Sequence, residues 1–214
     1  MIFSTAYLPP ISFFVYAFHA DELCIEACEN FIKQTYRNRC YIYSANGKLG
    51  LSIPLDHCRR PQLPLKDVKI NYATPWHHIH WRAITAAYNK SAYFLYYRDD
   101  FEKFFVQKYD WLIDFNHEIL AVCLKQLRLS KKITYTEKFH NAYATGDLRW
   151  KLNPRNEPEF FLAPYTQVFD VKSGFISNLS IIDLLFNCGP DSLEYLEHTS
   201  TTKKYTDKNE KRPR

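Results

Sequence analysis

Glycine is scarce in this chain, with five in 214 residues. Neither GxGxxG nor GxxxxGK[ST] occurs, which excludes the glycine-rich loops that wrap phosphates in the common nucleotide-binding folds. Any phosphate bound here must be held by side chains and helix N-termini. GxSxG and HExxH are missing too, so nucleophile-elbow hydrolases and helical zinc peptidases are not indicated. The six cysteines, at 24, 28, 40, 58, 123 and 188, form no CxxC and no repeated spacing. A chain this long can build a full core without disulfide staples, so free thiols in a reducing compartment are expected. Pro9-Pro10 interrupts the first apolar stretch and no charged region precedes it, so no secretory leader is expected. The longest apolar runs fall well short of the ~20 residues of a membrane helix. These absences lead us to expect a cytoplasmic protein with no membrane span.

Net positive charge is small as well, once its location is considered. Residues 203–214 carry six basic and two acidic residues, so they hold +4 of the net +5 and leave about +1 for residues 1–202. A nearly neutral body argues against specific or strong nucleic-acid binding. The basic tail, 199–214, is expected to be a solvated, disordered end.

Aromatic residues, by contrast, are abundant: 16 Phe, 16 Tyr and 4 Trp. Large rigid side chains should therefore dominate the packing, many with a polar tip. Residues 2–8 read as a short buried strand ended by Pro9-Pro10, 11–20 as a helix, and 23–27 as a second strand. That β-α-β opening is the pattern of a parallel sheet. Asn46-Gly47 marks a hairpin between 39–44 and 49–54. Residues 56–66, with Arg59 and Arg60, read as an exposed loop, and Val68–Ile70 as a short strand. Pro75 opens the first of three helical patterns, 75–90, 92–109 and 111–129. Lys132–Glu137 alternates into a strand, 141–158 reads as loop, and 160–162 and 167–169 are short strand candidates. Ser180 should cap a helix closed by Gly189-Pro190, with Asp183 three residues on at capping-box spacing. A further helical turn is expected at 192–198. The expected fold class is α/β: a β-α-β opening with a mixed sheet and an inserted block of about three helices. One domain over 1–198 holds the helical block at about 75–130.

Lys33, Arg37 and Arg39 crowd around Gln34, Thr35 and Asn38, directly after an apolar run. Guanidinium forks suit phosphate or carboxylate oxygens, and anion sites also use neutral donors. If 37–43 is extended, Arg37 and Arg39 share a face. These six residues are the candidate binding site for a phosphate-bearing small molecule; the alternative is a surface pair bridged to Glu26 or Glu29. Trp76-His77-His78-Ile79-His80-Trp81 lacks the i, i+4 histidine pair of a helical zinc site, so no metal is expected, and His80 is instead a candidate proton donor. Glu26, at the end of a buried strand, is the candidate general base. Cys24 and Cys28 read as inert buried thiols. Tyr7 is placed at the pocket mouth, and Asn178 is a candidate pocket residue. The sequence names no cofactor.

Four blocks then carry a resemblance: Thr5-Ala6-Tyr7-Leu8-Pro9-Pro10, Ile32 through Arg39, Trp76 through Trp81 with Ala86-Ala87-Tyr88, and Asn178 through Pro190. In this order they resemble the WbqC-like family of bacterial proteins, in the branch typical of Bacteroidetes-type sequences. The family is named for members in surface-polysaccharide gene clusters, so the resemblance implies a transferase-type enzyme acting on a phosphorylated or nucleotide-linked sugar. It supplies no catalytic mechanism. Cys28 stands where the family pattern leads us to expect a histidine. The competing class is a noncatalytic interaction module with an ion-paired basic motif. Convergence of Lys33, Arg37 and Arg39 with Glu26 and His80 would favour the enzyme, and dispersal the module.

Overall fold

The computed structural model describes residues 1–56, 63–143 and 146–201. The expected loop residues Arg59 and Arg60, and the tail from 202 onward, lie outside that set. The chain opens with strand β1 (Ile2–Ser4), helix α1 (Ile11–His19) and strand β2 (Glu22–Glu26). β1 and β2 pair in parallel with Ser4 opposite Glu26, so the β-α-β opening forms as expected. β1 is shorter than its apolar run. Leu8 adopts a left-handed φ of 41°, and Tyr7 N–H leaves the ladder to bond the Tyr36 carbonyl at 2.8 Å.

Strand β5 (Lys132–Tyr135) pairs in parallel with β2, giving the order β1-β2-β5. The outer edge of β1 is covered by 146–148 through Ile2 N–H to the Gly146 carbonyl and Leu148 N–H to the Ile2 carbonyl, both 2.9 Å. Strands β3 (Arg39–Ser44) and β4 (Gly47–Ser52) form a separate antiparallel hairpin. Parallel and antiparallel pairing are thus divided between two sheets. The reversal runs through Ala45-Asn46, and Gly47 takes the positive φ of 95°.

The helical block is present as α2 (Trp76–Tyr88), α3 (Phe94–Val106) and α4 (Leu112–Gln126). Its inner faces carry Ile84, Tyr88, Phe94, Phe101, Phe104, Phe105, Phe115 and Ile119, all buried. A single turn, α5 (Asp170–Ser173), precedes α6 (Ile181–Cys188), whose residues 181–186 are buried throughout. Phe186 lies among the rings of Tyr88, Phe94, Tyr97 and Phe101. Gly189 ends α6 at φ 56°, where an added Cβ would meet the Tyr93 ring at 2.5 Å. Only glycine fits both demands. Helix α7 (Ser192–Thr201) closes the chain against α1.

The expected strand Val68–Ile70 forms only isolated bridges, Lys69 with Trp111 and Ile70 with Leu55, and two further expectations fail for physical reasons. No strand forms at 160–162 or 167–169. The Gln167 side chain does a ladder neighbour's work, donating to the Ile176 carbonyl and accepting from Ile176 N–H, both at 2.9 Å. Nor does Ser180 form a capping box. Its hydroxyl makes no cap bond, and the Asp183 carboxylate turns inward to Tyr88 Oη (2.8 Å), Tyr165 Oη (2.5 Å) and Gln167 Nε2 (2.8 Å). Burial raises the Asp183 carboxyl above the usual carboxylate range, while the three donors pull it back.

Candidate anion-binding site

Open α/β sheets receive ligands beyond the carboxyl ends of their parallel strands. Here that edge holds Ser4, Glu26 and, just past β5, Thr136. It is filled by the protein's own charges. Glu26 is fully buried and accepts from Cys28 N–H (2.9 Å), Thr136 Oγ1 (2.5 Å), Tyr143 Oη (3.3 Å) and Arg149 Nη1 (3.2 Å). Arg149 also forks onto Asp147 at 2.9 and 2.7 Å, which holds the Asp147 carboxyl below its ordinary value. The neighbouring Glu29 takes the Arg37 fork at 2.9 and 2.7 Å. Arg37 further donates to Thr35 Oγ1 (3.1 Å) and Ser4 Oγ (2.7 Å). The cluster holds three carboxylates and two guanidinium groups, so it offers a ligand no surplus positive charge.

Arg37 and Arg39 therefore do not share a face. Residues 33–38 turn rather than extend, with Gln34 at φ 59° and Thr35 Oγ1 donating to the Ile32 carbonyl at 2.8 Å. The period of two applies only once β3 begins at Arg39. Arg37 ends inside, 2% exposed, while Arg39 stays half-buried with Nε donating to Ser52 Oγ at 2.8 Å. Thr35 is buried as a prop for Arg37.

Lys33, Gln34, Asn38 and Arg39 do come together. With Phe31 and Leu55 they line an open concavity of about 270 Å³, and no carboxylate is among its described lining residues. Among the described residues, neither Lys33 nor Arg39 has a carboxylate partner, and the terminal nitrogens of the Arg39 fork are unbonded. Asn38 Nδ2 ties the turn to the Ile53 carbonyl at 2.9 Å, and Arg155 Nη2 reaches across to Gln34 Oε1 at 2.8 Å. Two cations with neutral amides beside them can hold a phosphate by charge-assisted hydrogen bonds.

The remaining candidates sit elsewhere. His80 is buried, with Tyr7 Oη 3.0 Å from its Nδ1 and the Trp76 ring edge-on at 5.1 Å. Burial lowers its pKa to about 4, a bond to the Ser52 carbonyl offsetting this only in part, so the ring is neutral at pH 7. Tyr7 is fully buried and stacks on Phe115; it forms core, not a pocket mouth. Asn178 adopts φ 53°, and its Oδ1 accepts Ser12 N–H at 2.9 Å, satisfying an α1 donor that Pro10 at the cap leaves free. Cys28 is half-buried and its thiol lies 3.6 Å from the Thr136 carbonyl, beside the Glu26 cluster. Among the described residues, no three His, Cys, Asp or Glu side chains converge as metal ligands would, His77 and His78 included. No helix is long and apolar enough to cross a membrane among them.

The bridge to Glu29 offered as the alternative reading is present for Arg37, though buried rather than at the surface. Sequence reasoning missed Arg149 and Asp147, and it placed Asp183 in a local cap rather than in the core. Asp147-Leu-Arg149 is a charged pair at i, i+2 in a loop, a spacing with no signature of its own.

The WbqC-like protein family model matches residues 5–153 and 155–195. The chain belongs to the WbqC-like family. The match takes in the Glu26–Arg149 cluster, the Lys33–Arg39 turn and α6 together. A curated relative, the uncharacterised protein Rv1507c of Mycobacterium tuberculosis (strain ATCC 25618 / H37Rv), is 23% identical over 224 residues, covering 92% of this chain and 96% of the relative. No solved structure matches.

Proposed function

We propose that this protein binds a phosphate-bearing small molecule in the concavity formed by Lys33, Gln34, Asn38 and Arg39. The observation that carries the reading is the pair of cations there with no carboxylate among the described residues that line the concavity. The finer reading, a transferase acting on a phosphorylated or nucleotide-linked sugar in surface-polysaccharide metabolism, draws on the family resemblance. The five described cysteines are all free, which supports a cytoplasmic setting.

Glu26 and His80 do not line the concavity, and both are saturated by interior partners. That dispersal favours a second reading, a noncatalytic interaction module in which Arg37 is the ion-paired part of the basic motif. One experiment tests the anion site. Thermal-shift titration with nucleotide-linked sugars and inorganic phosphate should raise the melting temperature of the native chain by linkage. The shift should vanish in the Lys33→Ala, Arg39→Ala double variant, since each charge-assisted contact is worth about 1.5–3 kcal/mol. An identical shift in the double variant would exclude this site.

A further inference from the structure

A second cavity, about 240 Å³, lies between α1 and the 151–159 loop. Its lining is unlike the cationic concavity. Lys151 is paired with Glu159 at 3.0 Å, and Glu157 is also present, so the wall carries a net charge of −1 and repels phosphate. The rest of its chemistry is neutral. Tyr36 is 6% exposed and Ser12 3% exposed, yet neither hydroxyl takes a hydrogen bond among the described residues. Among the described residues, the amides of Asn153 and Asn178 engage only through their oxygens, with Arg155 N–H at 3.0 Å and Ser12 N–H at 2.9 Å. Both Nδ2 groups remain available.

Four unengaged polar groups thus face one cavity, two of them on side chains more than nine-tenths buried. Water can satisfy them singly, but a ligand that displaces it must offer several hydroxyls at once. Tyr16 and Tyr36 supply ring surface, and Leu152 and Pro158 supply aliphatic surface, for the C–H face of such a ligand. The volume falls below the roughly 300–1,000 Å³ of pockets for drug-sized molecules, so the occupant is one ring rather than an extended chain. Glu159 already accepts from Lys151 and Tyr16 Oη, while a carboxylate such as Glu157 can accept from a ligand hydroxyl, which a fully ionised phosphate does not offer. From this juxtaposition we infer that the cavity between α1 and the 151–159 loop binds a neutral, polyhydroxylated ring, a monosaccharide unit. The inference stands apart from the Lys33–Arg39 reading, because its ligand needs no phosphate.

The test uses the ¹⁵N-labelled full chain titrated with unphosphorylated hexoses and N-acetylhexosamines to about 50 mM, within the weak range expected of single rings. The side-chain amide resonances of Asn153 and Asn178 should shift saturably with at least one sugar. Tyr36→Phe, which deletes one hydroxyl and keeps the ring, should raise the dissociation constant about three- to tenfold. Ser12→Ala gives the same reading should Tyr36→Phe lose its native spectrum. The inference is overturned if no sugar moves those resonances. It is equally overturned if both folded variants bind with unchanged affinity.

Discussion

Arg37 and Arg39 stand two residues apart and meet opposite fates. Arg37 is enclosed, its fork held by Glu29 and two hydroxyls, while Arg39 keeps only an Nε bond to Ser52 and faces an open concavity. The difference lies in the backbone: a turn through 33–38 sends Arg37 inward, and the first residue of β3 sends Arg39 outward. A cluster of basic residues is therefore not one functional unit. The buried half ties β1 to the 29–37 segment, and the open half lines a concavity.

The sharpest way to break this contrast is Arg37→Ala. It strands Glu29 as a buried charge, which costs about 3–5 kcal/mol. For a chain of this size the melting temperature should fall by roughly 10 °C, measured by calorimetry. A loss below about 1 kcal/mol, the range of surface pairs, would mean that the pair is not buried in solution.

His80 extends the interior side of the comparison. Its folded pKa of about 4 lies below its ordinary 6.5, so the unfolded chain binds the proton more readily. The associated stability is fully present above pH 6.5 and is lost as pH falls towards 4, about 3 kcal/mol in all. Urea titrations across that window should show the loss in the native chain and a flatter profile in His80→Gln. Parallel profiles would place the histidine in contact with solvent.

The smallest effect belongs to Arg39→Ala, within about 0.5 kcal/mol of the native stability. A loss as large as that of Arg37→Ala, read from the same melts, would erase the distinction between the two arginines.

How much of this was legible depended on whether neighbouring residues decided it. The β-α-β opening followed from apolar runs cut by Pro9-Pro10, and the hairpin from Asn46-Gly47. The three helices followed from their apolar period. The 160–178 stretch did not, because its backbone is satisfied by the Gln167 amide rather than by a ladder. Lys33, Gln34, Asn38 and Arg39 line one concavity, but Thr35 and Arg37 are indistinguishable from them in a reading that starts an extended segment at Arg37. His80 and Tyr7 looked chemical because both carry polar atoms. Only the packing reveals that each engages the other inside the core. Asp183 at capping-box spacing invited a local explanation, whereas its partners Tyr88 and Tyr165 lie 95 and 18 residues away.

The contact between Glu26 and Arg149 spans 123 residues of sequence. Closing a loop that long carries an entropy cost that grows as about (3/2)RT ln n, and such non-local contacts slow folding. During synthesis, β2 emerges well before the only guanidinium that neutralises its terminal carboxylate among the described residues. A nascent chain that stops short of residue 149 cannot bury Glu26 without leaving it unpaired by Arg149. The ionic cluster at the end of the parallel sheet is therefore complete only after about seven-tenths of the chain has been made.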